Sequence, residues 1–209
     1  MDFPRALTQI DEIHQQIAKG EIYRGYRSVP VAASGLVGIG ASVAQPIVQP
    51  VSDPFAFVQF WTAVAAVAGL VGISEIAYNY IVHDDASGRR RTRRVLGQFL
   101  PSVVGAAVLT ASFVNVGPSL VSLLPGVWAI CFGIGTFSSR PYLPRTSVLV
   151  ACFYIAAGSL LLWTLDLAAP LNAWRVGGTF GAGQLLAAGI LYWEFERRHQ
   201  DPEIRSQAR

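Results

Sequence analysis

The sequence predicts an all-α fold: a polytopic membrane protein of six transmembrane helices preceded by one amphipathic cytoplasmic helix. Three observations lead there. Of the 209 residues 52% are hydrophobic and only 14% charged, whereas a soluble domain carries about a quarter charged residues. The charges crowd into short segments and leave apolar runs at 29–48, 57–81, 95–116, 118–137, 146–165 and 175–194, each near the roughly 20 residues a helix needs to cross hydrocarbon. Finally, if all six runs span, fifteen of the sixteen basic residues fall on one side and Arg175 alone on the other. Positive charge stays cytoplasmic, so that partition sets both the number of spans and their direction, with both termini cytoplasmic.

Each element follows from its own residues. Residues 1–28 form the cytoplasmic amphipathic helix and an interfacial segment, 29–194 the six-helix domain, and 195–209 a cytoplasmic tail. In the first segment Phe3, Leu7, Ile10, Ile13 and Ile17 recur at helical spacing, with Gln9, Asp11, Glu12 and Lys19 on other faces. The polar face is mixed to acidic, which suits a protein surface better than anionic lipid. These five apolar residues are therefore the candidate partner-binding face. The second and third runs are joined by HDDASGRRRTRR, read as a loop, which holds Arg89, Arg90, Arg91, Arg93 and Arg94. Gly117-Pro118 separates the third and fourth runs, because a Gly-Pro step breaks a helix. Trp61, Trp163 and Trp174 fall at outer ends as interfacial anchors, and Trp128 falls near the middle of the fourth span. Among the basic residues only Lys19 is lysine, an arginine bias that favours a bacterial source and hence the inner (cytoplasmic) membrane.

Inside the spans, small and polar residues share faces. Helix one offers Gly35, Gly38, Ser42 and Gln45; helix two Ala65, Gly69, Gly72 and Asn79; helix three Gln98, Ser102, Gly105 and Ser112; helix six Gly177, Gly181, Gln184 and Ala188. In lipid such faces mark close helix contact. Glu75 is the one ionisable residue clearly within a span, and a carboxylate at that depth turns toward protein or a wet cavity. Glu75, Asn79, Gln98, Gln184 and Trp128 are thus the candidate intramembrane polar site, with an arginine lock for Glu75 as the plain structural alternative.

Several functions are excluded by residue type. None of His14, His83 and His199 lies in a span, so intramembrane haem ligation and a Ser–His protease lack their histidines. The thiols of Cys131 and Cys152 are not in a Cys-x-x-Cys motif and read as small buried apolar groups. No catalytic residue, metal or cofactor is expected, and the basic residues at membrane ends do not indicate nucleic acid. Three functions remain, of which an intramembrane enzyme acting on lipid comes last because buried nucleophiles and bases are few; two stand ahead of it. One is a non-enzymatic integral membrane subunit or regulator acting through protein–protein contacts, with a protein partner or a homo-oligomer in the bilayer. The other is a small-solute transporter or substrate-binding membrane component, with a polar site near Glu75 for a small-molecule ligand.

Overall fold

A computed structural model of the chain describes residues 28–49, 53–82, 86–166 and 171–197, with side chains for all of these except 75, 76, 78, 79, 82, 86–88, 91 and 195–197. The proposed helix bearing Phe3, Leu7, Ile10, Ile13 and Ile17 lies outside the described residues. Every regular element among the described residues is helical. In order these are α1 (Ser28–Val48), α2 (Pro54–Val82), α3 (Ala86–Val116), a 3₁₀ segment (Pro118–Leu123), α4 (Leu124–Ser138), a short 3₁₀ turn (Arg140–Tyr142), α5 (Ser147–Trp163), α6 (Ala173–Leu191) and a π-helical end (Tyr192–Arg197). Among the described residues four stretches are long and apolar enough to cross a membrane: Ser28–Val48, Pro54–Ser74, Thr92–Val116 and Pro118–Ser138. The helix Ser147–Trp163 is apolar but shorter. Arg175, Gln184 and the glycines of α6 dilute its apolar character.

The helix ends have local causes. Asp53 precedes Pro54 and accepts from the Phe55 N–H at 3.0 Å, so a side-chain cap and a proline in the first turn together start α2. Asn172 does the same for α6, accepting from Trp174 N–H at 2.9 Å. The Gly117-Pro118 break falls where expected, but the chain leaves it as a 3₁₀ segment, and regular α-helix resumes only at Leu124. Pro125 allows that restart because a first-turn N–H is unsatisfied in any case. The arginine run differs from expectation: it is the N-terminal extension of α3, which begins at Ala86. Arginine and alanine are both good helix formers, and Gly88, the one weak former beside Ser87 and Thr92, lies in the first turn of α3, where it does not stop the helix.

Packing is dominated by two antiparallel pairs, α1 with α6 and α4 with α5. Both depend on glycine. A methyl group at Gly177 would collide with Ser42 Oγ and the Gly38 carbonyl, and one at Gly181 with Ile39. From the other side, a methyl at Gly35 would lie 3.1 Å from Gln184 Cβ and 3.1 Å from the Gly181 carbonyl. In the second pair, a methyl at Gly126 would come within 2.9 Å of the Gly158 carbonyl, and one at Gly133 within 3.0 Å of the Ala151 carbonyl. These helices meet backbone to backbone, the contact that drives association where lipid is as apolar as any side chain.

The largest core cluster gathers Ala41, Phe57, Val58, Trp61, Val121, Leu124, Ala173 and Val176, all near the arginine-poor end of the bundle. Trp61 belongs to it and is only 3% exposed. The interfacial role expected for this residue is therefore corrected: α2 turns it inward onto α1. Trp163 and Trp174 are exposed, in keeping with an anchoring role. Beyond Trp61 no described residue of α2 is buried, and from Leu96 to Val116 none of α3 is. Past Trp61 α2 therefore leaves the core, whereas α3 keeps to α4 at the arginine-rich end, where Thr92 and Val95 are buried and Ser139 Oγ donates to the Val95 carbonyl.

Replacing Gly177 with leucine should drive α1 and α6 apart and lower stability by at least about 2–3 kcal/mol, as overpacking against backbone allows no relaxation. Gly40→Ala, where nothing lies within 4 Å, should be neutral or slightly stabilising. Unfolding in mixed micelles of mild detergent and sodium dodecyl sulfate measures both.

Candidate functional site

The polar groups of the bundle fall into separate knots. The first ties α1, α2 and α6. Ser42 Oγ is held between the Gly38 carbonyl (3.2 Å) on its own helix and the Ala173 carbonyl (3.3 Å) on α6. One turn further on, the indole Nε1–H of Trp61 donates to Gln45 Oε1 at 2.8 Å. Both Ser42 and Gln45 are fully buried. Tryptophan has only a donor to offer, so it fixes which end of the Gln45 amide faces it. The Nε2 end is then buried with no partner among the described residues.

The second knot joins α5 and α6. Tyr154, completely buried, sits in a ring of aromatic residues, 4.6 Å from Phe132, 5.3 Å from Phe180 and 5.5 Å from Phe153 between ring centroids. Its hydroxyl donates to the Phe180 carbonyl at 3.2 Å and also engages the Gln184 side chain. Gly183 makes room for the ring, since any Cβ there would collide with it. The third knot holds α3 to α4, where Trp128 Nε1–H donates to Thr110 Oγ1 at 2.8 Å while that hydroxyl donates to the Ala106 carbonyl at 2.7 Å. At the arginine-rich end Thr146 Oγ1 donates to Glu194 at 2.6 Å, linking the start of α5 to the end of α6. At the opposite end Arg175 reaches the Leu161 carbonyl and, at 3.4 Å, Thr164 Oγ1.

The residues proposed from sequence are therefore dispersed. Gln184 bears on Tyr154 and on Gly35. Trp128 is half-buried and packs on the main core. Gln98 on α3 has its Oε1 buried without a partner among the described residues. Glu75 and Asn79 fall within helix α2, and their side chains lie outside the described ones. Sequence reasoning missed Tyr154 and the Trp61–Gln45 pair. A tyrosine amid Phe132, Phe153 and Phe180 reads as one more apolar residue, and its partner is a backbone carbonyl that no motif records. Of the two cysteines, Cys131 is half-buried and Cys152 exposed, both as free thiols, which corrects the expectation of two buried ones.

In chemical terms the side chains that tie these helices together are hydroxyls, indoles, an amide, the Glu194 carboxylate and the Arg175 guanidinium. No group of three or more His, Cys, Asp or Glu residues gathers among the described residues. Comparison of the chain with protein-family models, with characterised proteins and with solved structures yields no match.

Trp61→Phe keeps the aromatic bulk and removes the donor, leaving the Gln45 amide wholly unpaired. It should cost about 1–3 kcal/mol, and Gln45→Met in that background should recover most of the loss. Tyr154→Phe, which forfeits the hydroxyl's bond to the Phe180 carbonyl and its contact with Gln184, should cost about 1 kcal/mol, within the range of such bonds between membrane helices. Equilibrium unfolding in micelles of the single and double variants separates these effects.

Proposed function

We propose that the chain is a non-enzymatic, multi-pass subunit or regulator of a bacterial inner membrane, acting through contacts with another protein or with a second copy of itself. In this reading all six helices span, and both termini lie on the cytoplasmic side with the arginines. Support for the fifth and sixth spans comes from packing. α6 lies antiparallel along α1, with Gly181 beside Gly35, Gly177 beside Gly38 and Ala173 beside Ser42. α5 lies likewise along α4, with Gly158 beside Gly126 and Ala151 beside Gly133. Each shares the depth of a helix that is long and apolar enough to span. The 17 residues of α5 reach about 25 Å at 1.5 Å per residue, short of a 30 Å core but within what a bilayer accommodates by local thinning.

The observation that carries the subunit reading is an unmatched small-residue ridge on α2. Thr62, Ala65, Ala66, Gly69 and Gly72 recur every three or four residues. Among the described residues nothing comes within 4 Å of a side chain added at Gly69 or Gly72. The packed glycines of α1, α4 and α6 are covered by neighbouring helices; this ridge faces away from the core. A helix with such a face is suited to another helix. The amphipathic segment with Phe3, Leu7, Ile10, Ile13 and Ile17 supplies a second contact on the cytoplasmic side.

A substrate-binding or transport role is the second reading, and one observation favours it. Gln45 Nε2 and Gln98 Oε1 are buried without partners among the described residues, and unpaired buried amides offer hydrogen bonds to a polar solute. Under that reading Gln98→Ala abolishes stabilisation by the solute; under the first it leaves function untouched.

Purified in mild detergent, the wild-type chain should run as an assembly larger than a monomer. Gly69→Leu, and separately deletion of residues 1–20, should each shift it toward the monomer by at least about tenfold in apparent affinity, while Gly69→Leu leaves the unfolding midpoint unchanged. A wild-type protein that is monomeric throughout would sink the subunit reading.

A further inference from the structure

We infer that the N-terminal part of α3 is a binding site for anionic phospholipid, whose phosphate is held by the arginines of residues 89–94 and whose acyl chains lie along the apolar face directly beneath them. Two independent features of α3 meet here. The first is charge. Arg89, Arg90, Arg91, Arg93 and Arg94 fall within six residues, and Asp84 and Asp85 before them, outside the described residues, offset only part of it. The four arginines whose side chains are described, Arg89, Arg90, Arg93 and Arg94, are all exposed. They also sit near the start of a helix, where backbone N–H groups are already electropositive and a cation is disfavoured unless an anion is at hand. Guanidinium groups bind phosphate oxygens through paired hydrogen bonds. The Arg89 guanidinium lies 5.4 Å from the centre of the Tyr80 ring, which holds this end of α3 against α2 and keeps Arg89 extended over an aromatic face.

The second feature is what lies below the charge. Residues 86–94 are helical and continuous with the rest of α3, which stays helical through Pro101 to Val116, so helical spacing relates the arginines to the apolar residues that follow. Arg89 and Arg93 stand above Leu96, Leu100 and Val103; Arg90 and Arg94 stand above Val104 and Val108. All five of these apolar residues are exposed. From Arg93 to Leu100 the rise is about 10 Å, so the cationic groups and the apolar ridge lie at the depths of a headgroup phosphate and of the upper acyl chain. An acidic peptide would satisfy the arginines but not the ridge. A neutral lipid would cover the ridge but leave the arginines without a net negative partner. An anionic phospholipid matches both, and clusters of four to eight basic residues at the cytoplasmic end of a spanning helix select such lipids.

The inference depends on α3 crossing the bilayer and not on the protein-contact role, so either can fail alone. Its test is to count lipids retained by the full-length protein under native mass spectrometry, after titrating it in neutral detergent with phosphatidylglycerol or with phosphatidylcholine of the same acyl chains. Phosphatidylglycerol should be retained at least about tenfold better. Arg93→Gln with Arg94→Gln should reduce that preference by about fivefold per arginine, while Arg140→Gln with Arg145→Gln should leave it in place. Should the α3 variant fail to fold, the wild type suffices: raising salt from about 0.1 M to about 0.5 M must weaken phosphatidylglycerol retention and spare phosphatidylcholine. Equal retention of the two lipids, a preference untouched by the α3 substitutions or by salt, or displacement by equimolar inorganic phosphate would overturn the assignment.

Discussion

The close backbone contact between α1 and α6 is the constraint on which the remaining structure rests. In water, two apolar helices associate because both leave the solvent; in lipid they do not, since hydrocarbon solvates them as well as they solvate each other. What remains is shape, together with the few hydrogen bonds that close approach permits. Gly177 against Gly38 and Ser42, and Gly181 against Gly35 and Ile39, bring the two axes close enough for the Ser42 hydroxyl to reach the Ala173 carbonyl across the interface. Once α1 is held there, Gln45 stands one turn beyond Ser42, where Trp61 meets it. The position of α2 thus derives from the α1–α6 contact, and the α4–α5 pair repeats the same solution around Gly126, Gly133 and Gly158.

The polar groups complement this packing. Each knot uses a side chain with limited hydrogen-bonding capacity to join two helices at one depth: Trp61 with Gln45, Trp128 with Thr110, Tyr154 with the Phe180 carbonyl. An indole or phenol is largely apolar and carries one polar tip, so it adds packing area at small desolvation cost. Such ties contribute less to stability than to uniqueness, because a helix rotated or slid by one residue would bury each of these tips unpaired. The unpaired Nε2 of Gln45 and Oε1 of Gln98 are the exceptions. They stand where the described polar network is incomplete, one at each end of the membrane-embedded region.

The helical class and the packing faces of α1 and α6 are legible in the sequence because both depend on local composition, whereas the small-residue faces read on α2 and α3 meet nothing within 4 Å at Gly69, Gly72 and Gly105 among the described residues. Apolar runs, and the Gly117-Pro118 break between two of them, mark helices directly, and small residues three or four apart mark faces; the Asp53 and Asn172 caps that start α2 and α6 a few residues before their apolar runs show only in the structure. Which face meets which is not written there. Gly35 and Gly181 lie far apart along the chain and carry no label of mutual preference, and the α2 ridge resembles the α1 face in sequence while meeting a different environment. The arginine run reads as a loop since charge ends the apolar signal, although helical propensity continues through it. Depth alone places Trp61 at the interface, and depth ignores the direction in which a side chain points. The candidate site is the least legible part, because its polar members pair with backbone carbonyls or with one another across helices, and such pairing is set by tertiary contact alone.

The pairing of α1 with α6 also bears on the order in which the protein is built. These are the first and last of the described α-helices, and the hydrogen bond from Ser42 to Ala173 links residues 131 positions apart. Chains emerge from the ribosome N-terminus first, so α1 enters the bilayer long before its principal partner exists. Throughout synthesis of the intervening helices its glycine face must be covered by lipid, by α2, or by another protein. The α4–α5 hairpin, by contrast, forms from neighbours as soon as both have emerged. Assembly is therefore split between an early local event and a late closing one. A chain interrupted before Ala173 would keep the hairpin while leaving α1 without the helix that defines its place.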